Sequence, residues 1–404
     1  MSDVAMSAGP MRGVRVIDLG TLLAGPVAAT LLGDMGAEVI KVEQPGVGDS
    51  LRGGATPAGR PPRTQWLVEG RNKRSVTIDL RRTEGQELVR RLVAQSDVLI
   101  ENFTPGTLER WGLGWEDLRK VNERLIMVRV SGYGQTGPLS KRAGYDRIAL
   151  GISGYLYPTG YPDRPPVRPA FATADYNTAT FAALAAMFAL YERDAQGGTG
   201  QMIDLALYEA PFRITGDLVQ NYQRTGEIRE RIGNRNPGFS PAGTFLTSDG
   251  TWLQIAAGGQ GPWTRLCAAM GDEGLGDDPR FASSRDRIHH ADELEELLGA
   301  WIGQRTFEEL DALFTAHNVP AGGILTAADI VDHPQFAARE NVVTVDDGAG
   351  GQVMMPNVVP TLRGTPGMVR HAGQPLGHDT DDVLTSLLEM SPEDVAALRA
   401  DGVI

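Results

Sequence analysis

The chain has 404 residues, of which 41% are hydrophobic and 22% are charged, a composition typical of folded proteins rather than disordered ones. Its length is sufficient for two domains, each with a sizeable core. The formal net charge of −13 at pH 7 argues against a general nucleic-acid-binding protein, because binding to phosphates requires a positively charged surface. An anionic ligand would have to be bound by local basic pockets.

The distribution of cysteine and of apolar residues indicates a cytoplasmic protein. Cys267 is the only cysteine, so no internal disulfide is expected and the chain fits a reducing compartment. The first ten residues contain Asp3 where a signal peptide has basic residues, and no apolar run follows. The longest uncharged apolar stretch, 181–190, is far shorter than the ~20 residues that span a bilayer. We therefore expect a cytoplasmic location and no membrane segment.

Strand and helix patterns alternate through the first half of the chain. Apolar, β-prone runs predict strands at 14–19, 38–43, 75–80, 97–103 and 125–130. Pro26 is expected at the first position of a helix that ends at 35, and a capping-box pattern at 83–86 predicts a helix to about 95. Such alternation predicts an α/β fold with a parallel sheet and ligands beyond the carboxyl ends of its strands. The loops after residues 19, 80, 103 and 130 are the candidate locations.

The second half predicts a smaller domain. An extended loop at 156–170 precedes a helix at 178–193, a strand at 201–207 and a long connecting helix. Asp249-Gly250 lies between two β-prone runs, which is typical of a hairpin. Further helices are predicted at 262–270 and 291–302, and a capping box at 306–309 opens another. These patterns predict an α+β domain over about 230–330.

Several catalytic motifs are absent from the sequence. There is no Gly-x-Gly-x-x-Gly after the first strand, no Gly-x-x-x-x-Gly-Lys-Ser/Thr, no Gly-x-Ser-x-Gly and no His-Glu-x-x-His. These absences argue against dinucleotide oxidoreductases, P-loop NTPases, serine hydrolases and zinc proteases. The single cysteine and the scattered histidines lack metal-ligand spacing, so no metal site is predicted.

Asp175 lies where a proline-rich segment gives way to the apolar helix pattern at 178–193. Aspartate is a preferred N-cap residue, and a carboxylate here can also act as a nucleophile.

At the end of the strand predicted at 97–103, Asn102 offers an amide for hydrogen bonding. Phe103, beside it, offers a ring that either stacks beneath an adenine or packs in the core. The basic segment 71–74, with Arg81, either binds phosphates or forms a solvated loop.

A series of short motifs occurs in fixed order along almost the whole chain. They are Leu23-Ala-Gly-Pro26, Gly36-Ala-Glu-Val-Ile-Lys-Val-Glu43, Asn72-Lys-Arg-Ser75, Glu101-Asn-Phe103, Pro105-Gly106, Tyr133-Gly-Gln-Thr-Gly-Pro138, Gly144-Tyr-Asp146, Asp175, Ser248-Asp-Gly250, Asn318-Val-Pro-Ala-Gly322 and Pro375-Leu-Gly377 with Thr380. This series resembles the class III CoA-transferases, the family of the formyl-CoA and carnitine CoA-transferases. The resemblance implies a Rossmann-like large domain over 1–225, a small α+β domain over 226–330, a C-terminal segment, 331–404, that returns to the large domain, and a homodimer of interlocked subunits.

The resemblance also implies roles for individual positions. Asp175 falls on the family's nucleophile, and the positions that hold CoA fall on Leu23, Ala24, Ile78, Arg81, Asn102, Phe103 and Arg110. Tyr145 would hydrogen-bond the carbonyl oxygen, line the acyl pocket or pack as an ordinary side chain. Coenzyme A and acyl-CoA are then substrates, as are carboxylic acids, and no tightly bound cofactor is required.

The family reaction suits a carboxylate nucleophile. Asp175 would attack an acyl-CoA thioester to form a mixed anhydride and then an aspartyl-CoA thioester, which an acceptor acid opens. A position at a helix N-terminus is expected to keep Asp175 ionised. Leu23, Gln44 and Ala143 replace the glutamine, arginine and lysine of the formyl-CoA transferases, which argues against formyl-CoA and oxalate as substrates. Residues 233–241 fall near the mobile segment of those enzymes but lack its glycine run.

Two other functions stay open at this stage. The family contains 2-methylacyl-CoA racemases, whose catalytic histidine occupies the position of Tyr145. The six histidines of this chain, at 289, 290, 317, 333, 371 and 378, all lie beyond the first domain, so transfer is favoured over racemisation. An inactive acyl-CoA-binding protein is the other alternative, and the intact Asp175 and Asn102-Phe103 argue against it.

Three arginines are candidates for binding a second carboxylate of a dicarboxylic substrate such as succinate. They are Arg168, close before Asp175, together with Arg142 and Arg235. A guanidinium group binds a carboxylate through two parallel hydrogen bonds. The sequence does not otherwise identify the acyl donor or the acceptor.

Overall fold

The computed structural model describes residues 9–53 and 63–404. Residues 1–8, on which part of the expectation about a signal peptide rests, lie outside this description. The strands are Arg15–Asp18 (β1), Glu38–Glu43 (β2), Lys73–Thr77 (β3), Val98–Glu101 (β4), Ile126–Ser131 (β5), Met202–Ala206 (β6), Ala242–Leu246 (β7), Trp252–Ala256 (β8), Ala321–Gly323 (β9), Val342–Asp346 (β10) and Gln352–Pro356 (β11). The helices are Ala24–Asp34 (α1), Thr64–Glu69 (α2), Thr83–Val93 (α3), Thr107–Arg110 (α4), Trp115–Val121 (α5), Asp146–Ile152 (α6), Thr173–Ala195 (α7), Glu209–Arg213 (α8), Leu218–Thr225 (α9), Gln260–Met270 (α10), Ser284–His289 (α11), Ala291–Ile302 (α12), Phe307–Ala316 (α13), Ala327–Asp332 (α14), Pro334–Ala338 (α15), Thr380–Ser386 (α16) and Pro392–Ala400 (α17).

A six-stranded parallel sheet with the order β3-β2-β1-β4-β5-β6 forms the centre of the first of two compact units. Strands β2, β4 and β5 are buried along nearly their whole length, as expected where helices cover both faces of a parallel sheet. The strand order is that of Rossmann-type sheets. The predicted α/β fold with a parallel sheet is therefore confirmed.

The strand order reverses between β1 and β4, which pair directly with each other. At such a switch point the loops that follow the two strands run in opposite directions and leave a crevice at the carboxyl edge of the sheet. The loop 19–23 after β1 and the loop 102–106 after β4 border this crevice.

The end of the chain packs into the core of the same unit. Buried residues of α16, α17 and the last two positions share one apolar cluster with β1 to β5. Among them are Val383, Leu384, Val395, Val403 and Ile404. This unit comprises the described residues within Met1–Tyr155, Pro169–Gly216 and Gln335–Ile404.

The second unit comprises Leu156–Arg168 and Asp217–Pro334. Its antiparallel sheet has the order β7-β8-β9, and the predicted turn at Asp249-Gly250 joins β7 to β8 with Gly250 at φ 83°. Helices α10, α12 and α13 pack on its apolar core around Trp263, Leu298 and Leu310. Thr306 and Glu309 form the predicted capping box at the start of α13.

Three helices differ from the prediction in where they begin or in whether they are continuous. Helix α1 begins at Ala24, so Pro26 occupies the third helical position, where its missing N–H costs nothing because the first N–H groups of a helix have no partner. Helix α3 has Arg82 at its N-cap, and no capping box forms. The long helix predicted after β6 is divided into α8 and α9, with Gly216 at φ 66° between them.

No helix in the described part of the chain is both long and apolar enough to cross a membrane.

Candidate active site

Asp175 lies in the first turn of α7, which begins at Thr173, five residues earlier than predicted. The N-cap is Ala172, and Asp175 occupies the third helical position. The N-cap role considered for Asp175 is therefore wrong. Its carboxylate is free for another purpose.

Other side chains fix the beginning of α7. Asp146, buried at the start of α6, accepts a hydrogen bond from the backbone N–H of Ala174 (2.8 Å). The hydroxyl of Tyr176 donates to Oε1 of Glu69 on α2 (2.7 Å). Asp146 lies on α6, and its carboxylate provides the hydrogen-bond acceptor for the start of α7 that an N-cap side chain normally provides.

Burial and the negative charge of Asp146 raise the pKa of Asp175 to about 7. The helix N-terminus therefore does not keep Asp175 fully ionised at pH 7, contrary to what the sequence led us to expect. A partly buried carboxylate loses hydration, and this loss together with a nearby anion outweighs the favourable interaction with the helix dipole.

Asp175 lines an open pocket of about 280 Å³ at the carboxyl edge of the sheet. Five other residues predicted for the site line the same pocket: Leu23, Ala24, Asn102, Phe103 and Tyr145. They come from the loops after β1 and β4, from the start of α1 and from the N-cap of α6. The structure thus brings together six of the nine predicted site residues.

A second pocket of about 280 Å³ adjoins the first, because Thr21 and Phe103 line both. Ile78 and Arg81 line this second pocket. Arg110 lines neither pocket, and its exposed guanidinium donates to Oγ1 of Thr107 (3.1 Å). Of the nine predicted residues, it is the one that the two pockets leave out.

Two of these residues already have partners within the chain. Arg81 donates to both carboxylate oxygens of Asp79 (2.8 and 2.7 Å), so a ligand phosphate would compete with that carboxylate. The amide of Asn102 donates to the carbonyl oxygen of Thr21 (2.8 Å) and accepts from its N–H (2.7 Å). Asn102 therefore joins the loops after β1 and β4 across the switch point.

Phe103 keeps one edge of its ring against Trp111, with ring centroids 5.4 Å apart and planes at 79°. The ring is partly buried and lines both pockets. The Phe103 side chain therefore both packs against Trp111 and lines the two pockets.

A buried cluster of charges beneath the loop 19–23 was not predicted. Lys41 on β2 lies 3.2 Å from Asp49 and 3.6 Å from Asp18, and it donates to the carbonyl oxygen of Gly20. Asp49 accepts from the N–H of Leu22 (3.1 Å), a residue held at φ 62°, where non-glycine residues are uncommon. The cluster therefore fixes the loop that leads into Leu23 and Ala24. The available signal was the presence of charged residues, Asp18 and Lys41, inside the strands predicted at 14–19 and 38–43.

The basic segment 71–74 has neither of the roles considered for it. Arg71 pairs with Asp34 (2.6 Å), Lys73 with Asp18 (2.9 Å), and Arg74 with Glu38 (2.8 Å). These side chains are mostly buried in internal ion pairs. They neither form a solvated loop nor remain available to phosphates.

The three candidate arginines lie in different surroundings. Arg235 pairs with Glu295 (2.9 Å) and with Asp292 in the second unit. Arg168 also belongs to that unit. Of the three, Arg142 is the one that lines the pocket with Asp175.

Comparison with known proteins identifies the family. The model of CoA-transferase family III matches residues 11–380. The chain belongs to CoA-transferase family III. The resemblance predicted from the sequence is confirmed, and the protein is a class III CoA-transferase.

Relatives of this class III CoA-transferase match over nearly their whole length. It is 45% identical over 395 residues to the succinyl-CoA–D-citramalate CoA-transferase of Chloroflexus aurantiacus, covering 98% of both chains. It is 43% identical over 398 residues to the beta subunit of the succinyl-CoA–L-malate CoA-transferase of that organism, again with 98% of both covered. The crystal structure of a CAIB/BAIF family protein from Brucella suis superimposes with a TM-score of 0.84 and 35% identity, covering 94% of this chain and 100% of the other.

Proposed function

We propose that this enzyme transfers CoA from succinyl-CoA to a dicarboxylic acid, with Asp175 as the covalent nucleophile. One observation carries the proposal: a partly buried carboxylate that does not cap its own helix lies in a pocket at the switch point of the sheet. The names of two relatives, which pair succinyl-CoA with citramalate or malate, support the choice of substrates.

The two adjoining pockets provide room for the two ends of an acyl-CoA. The nucleotide end fits the pocket that contains Arg81 and Ile78, where Arg81 can exchange the carboxylate of Asp79 for a phosphate. The uncharged pantetheine arm then passes Phe103 and Thr21, which both pockets share, and the thioester reaches Asp175. Leu23, Ala24 and Tyr145 line its path, and Asn102 acts by holding Thr21 in place.

The reaction proceeds in two matched halves. A carboxylate oxygen of Asp175 attacks the thioester carbon, the C–S bond breaks, and CoA thiolate leaves behind a mixed anhydride. The thiolate attacks Cγ of Asp175, and cleavage of the anhydride C–O bond releases the donor acid and leaves an aspartyl-CoA thioester. The acceptor carboxylate then attacks Cγ and expels the thiolate. Attack of the thiolate on the acceptor side of the new anhydride forms the product thioester and restores the Asp175 carboxylate.

The raised pKa of Asp175 is consistent with this role. A carboxylate that has lost part of its hydration is a stronger nucleophile than one in water, provided that it is ionised when the thioester arrives. CoA enters and leaves as a substrate, and the scheme uses no tightly bound cofactor.

Racemisation is less well supported by the pocket. A 2-methylacyl-CoA racemase removes an α-proton, which requires a base on each side of the carbon. None of the described residues that line the pocket is a histidine, and Tyr145 stands where the racemases have one.

Incubation of the purified protein with succinyl-CoA and a panel of acids separates the alternatives. Transfer predicts new acyl-CoA products, and quenched reactions analysed by mass spectrometry contain a covalent adduct on the peptide with Asp175. Asp175→Ala abolishes both while leaving CoA binding in place. Exchange of the α-proton without transfer would instead identify a racemase, and binding alone would identify an inactive protein.

We also infer that the enzyme forms a homodimer with interlocked subunits. An apolar stripe on α7, consisting of Leu184, Met187, Phe188 and Tyr191, is exposed in the single chain. Such a stripe on one helix indicates a protein partner. The name of one relative describes it as the beta subunit of its enzyme, so a second, different chain is the alternative partner.

The domain boundaries at 225 and 330 and the cytoplasmic location stay predictions from the sequence.

A further inference from the structure

Arg142 is the only cationic side chain among the described residues that line the pocket with Asp175. Its guanidinium forms no ion pair with any residue that the structure describes, whereas Arg52, Arg71 and Arg129 each pair with a buried or half-buried carboxylate. An exposed arginine without a partner inside a substrate pocket is available to bind an anion.

The backbone around Arg142 is well fixed. Its N–H donates to the carbonyl oxygen of Leu139 (2.8 Å). Two residues later, Gly144 lies so close to Gly132, which follows β5, that a Cβ on Gly132 would come within 2.8 Å of the Cα of Gly144. Gly144 is therefore held against the residue that follows β5, and Arg142 extends from the turn that its hydrogen bond to Leu139 closes.

We propose that Arg142 binds the second, unreacting carboxylate of a dicarboxylic substrate and thereby selects dicarboxylic over monocarboxylic acyl groups. The inference rests on the proposed function, in which the acyl group lies beside Asp175. The pantetheine arm is uncharged, so the acyl chain is the part of a succinyl thioester that brings an anion into this pocket. Apart from Asp175, the other polar side chains that line this pocket, among them Thr104 and Ser131, are uncharged, so Arg142 is the lining residue that can balance the charge of that carboxylate.

One arginine is sufficient for both substrates. In the proposed reaction the donor acid leaves before the acceptor enters, so the two acids occupy the same place in turn. Arg142 then imposes the same requirement for a second carboxylate on the donor and on the acceptor.

Binding of two inert CoA thioethers tests this role without any dependence on transfer. S-(3-carboxypropyl)-CoA imitates succinyl-CoA with its thioester carbonyl replaced by CH₂, and S-butyl-CoA has a methyl group in place of the terminal carboxylate. For the wild type, we expect the carboxypropyl compound to bind more tightly by calorimetry. We expect Arg142→Met to weaken it about 10- to 100-fold, as for a lost charge-assisted hydrogen bond, and to leave S-butyl-CoA within about twofold.

Lys141→Met is the matched control, because it removes the neighbouring positive charge at a residue that does not line the pocket. It is expected to change neither affinity by more than about twofold, and Arg142→Lys should retain part of the preference. Equal weakening of both thioethers by Arg142→Met would mean that Arg142 contacts CoA itself or supports the fold, and would overturn the proposal. Unchanged binding of the carboxypropyl compound would overturn it as well. Failure of the proposed transfer would appear separately, as a lack of turnover with succinyl-CoA.

Discussion

Asp175 is half-buried beside another carboxylate, and this arrangement predicts the pH dependence of the enzyme. Burial and the charge of Asp146 raise its pKa to about 7, and the proposed attack requires the ionised form. We expect kcat/KM for succinyl-CoA to rise about tenfold per pH unit below pH 7 and to level off above it. Initial rates between pH 5.5 and 9 measure this profile. A profile that stays flat down to pH 5.5 would contradict the raised pKa of Asp175.

Asp146→Asn separates the two causes of that raised pKa. Asparagine keeps an oxygen that accepts from the N–H of Ala174, so the start of α7 should stay in place. Loss of the negative charge should lower the pKa of Asp175 and move the acidic limb of the profile to lower pH. Asp146→Ala serves as comparison, because it removes the charge and the acceptor together and should also reduce the rate on the plateau. An unmoved acidic limb in Asp146→Asn would show that burial alone sets the pKa.

The raised pKa also means that Asp175 reduces the stability of the fold. A carboxylate whose pKa rises from its usual 3.8 to about 7 on folding destabilises the protein progressively as the pH increases between these values. Asp175→Asn should therefore raise Tm by roughly 2–4 °C at pH 8, with a smaller gain at pH 5. Thermal unfolding followed by circular dichroism at both pH values measures the difference. An equal or lower Tm at pH 8 would argue that Asp175 is stabilised by a partner when ionised.

At the scale of elements, Asn102 controls the loop between β1 and α1. Its amide makes two hydrogen bonds to the backbone of Thr21, which lines both pockets. We expect Asn102→Ala to raise KM for succinyl-CoA about tenfold and to cost about 0.5–1.5 kcal/mol of stability, because the exposed backbone groups of Thr21 exchange this partner for water. Steady-state kinetics and urea unfolding measure the two effects.

Asn122→Ala provides the matched control for that variant. The amide nitrogen of Asn122 donates to the carbonyl oxygens of Val93 (2.9 Å) and Ser96 (2.8 Å), and this residue lines neither pocket. A similar loss of stability with an unchanged KM is expected. If Asn122→Ala raised KM as much as Asn102→Ala, the effect would reflect general loosening and not the loop at the switch point.

The elements that could be predicted from sequence are those whose signals are local. The strand at 38–43 and the helix at 291–302 match the structure residue for residue, because apolar runs and periodicity lie within the element itself. The start of α7 was missed because its cap comes from Asp146, 28 residues away from Ala174. The partner of Lys73 is Asp18, 55 residues away, so the sequence could not distinguish a buried ion pair from a solvated charge.

In the candidate site, the sequence likewise identified the positions of the residues but not the interactions that they make across the fold. The motif positions were found by family resemblance, and the two pockets hold eight of the nine residues. The occupied amide of Asn102, the pairing of Arg81 with Asp79 and the raised pKa of Asp175 depend on distances across the fold. Such distances arise only after distant segments pack together, and so they could not be predicted from composition or spacing.

At the scale of the whole molecule, the apolar stripe on α7 predicts self-association. Phe188 and Tyr191 are each 64% exposed and Leu184 is 44% exposed, far more than stable apolar packing would leave in a complete assembly. A charge placed there should prevent association, because an interface core excludes unpaired charges. We expect the wild type to sediment as a dimer at micromolar concentration and Phe188→Glu to sediment at the mass of one chain, 43.4 kDa.

Val121→Glu is the control for this experiment, because Val121 is also exposed and apolar but lies on α5 instead of α7. It should sediment like the wild type. Since wild type and variants are each produced as a single chain, dimers of the wild type would identify a second copy as the partner, and no different subunit would be needed. A wild type that stays monomeric at these concentrations, with the stripe still exposed, would contradict the homodimer and favour association with a different chain. Dissociation by Val121→Glu as well as by Phe188→Glu would show that added charge, and not the α7 stripe, disrupts the assembly.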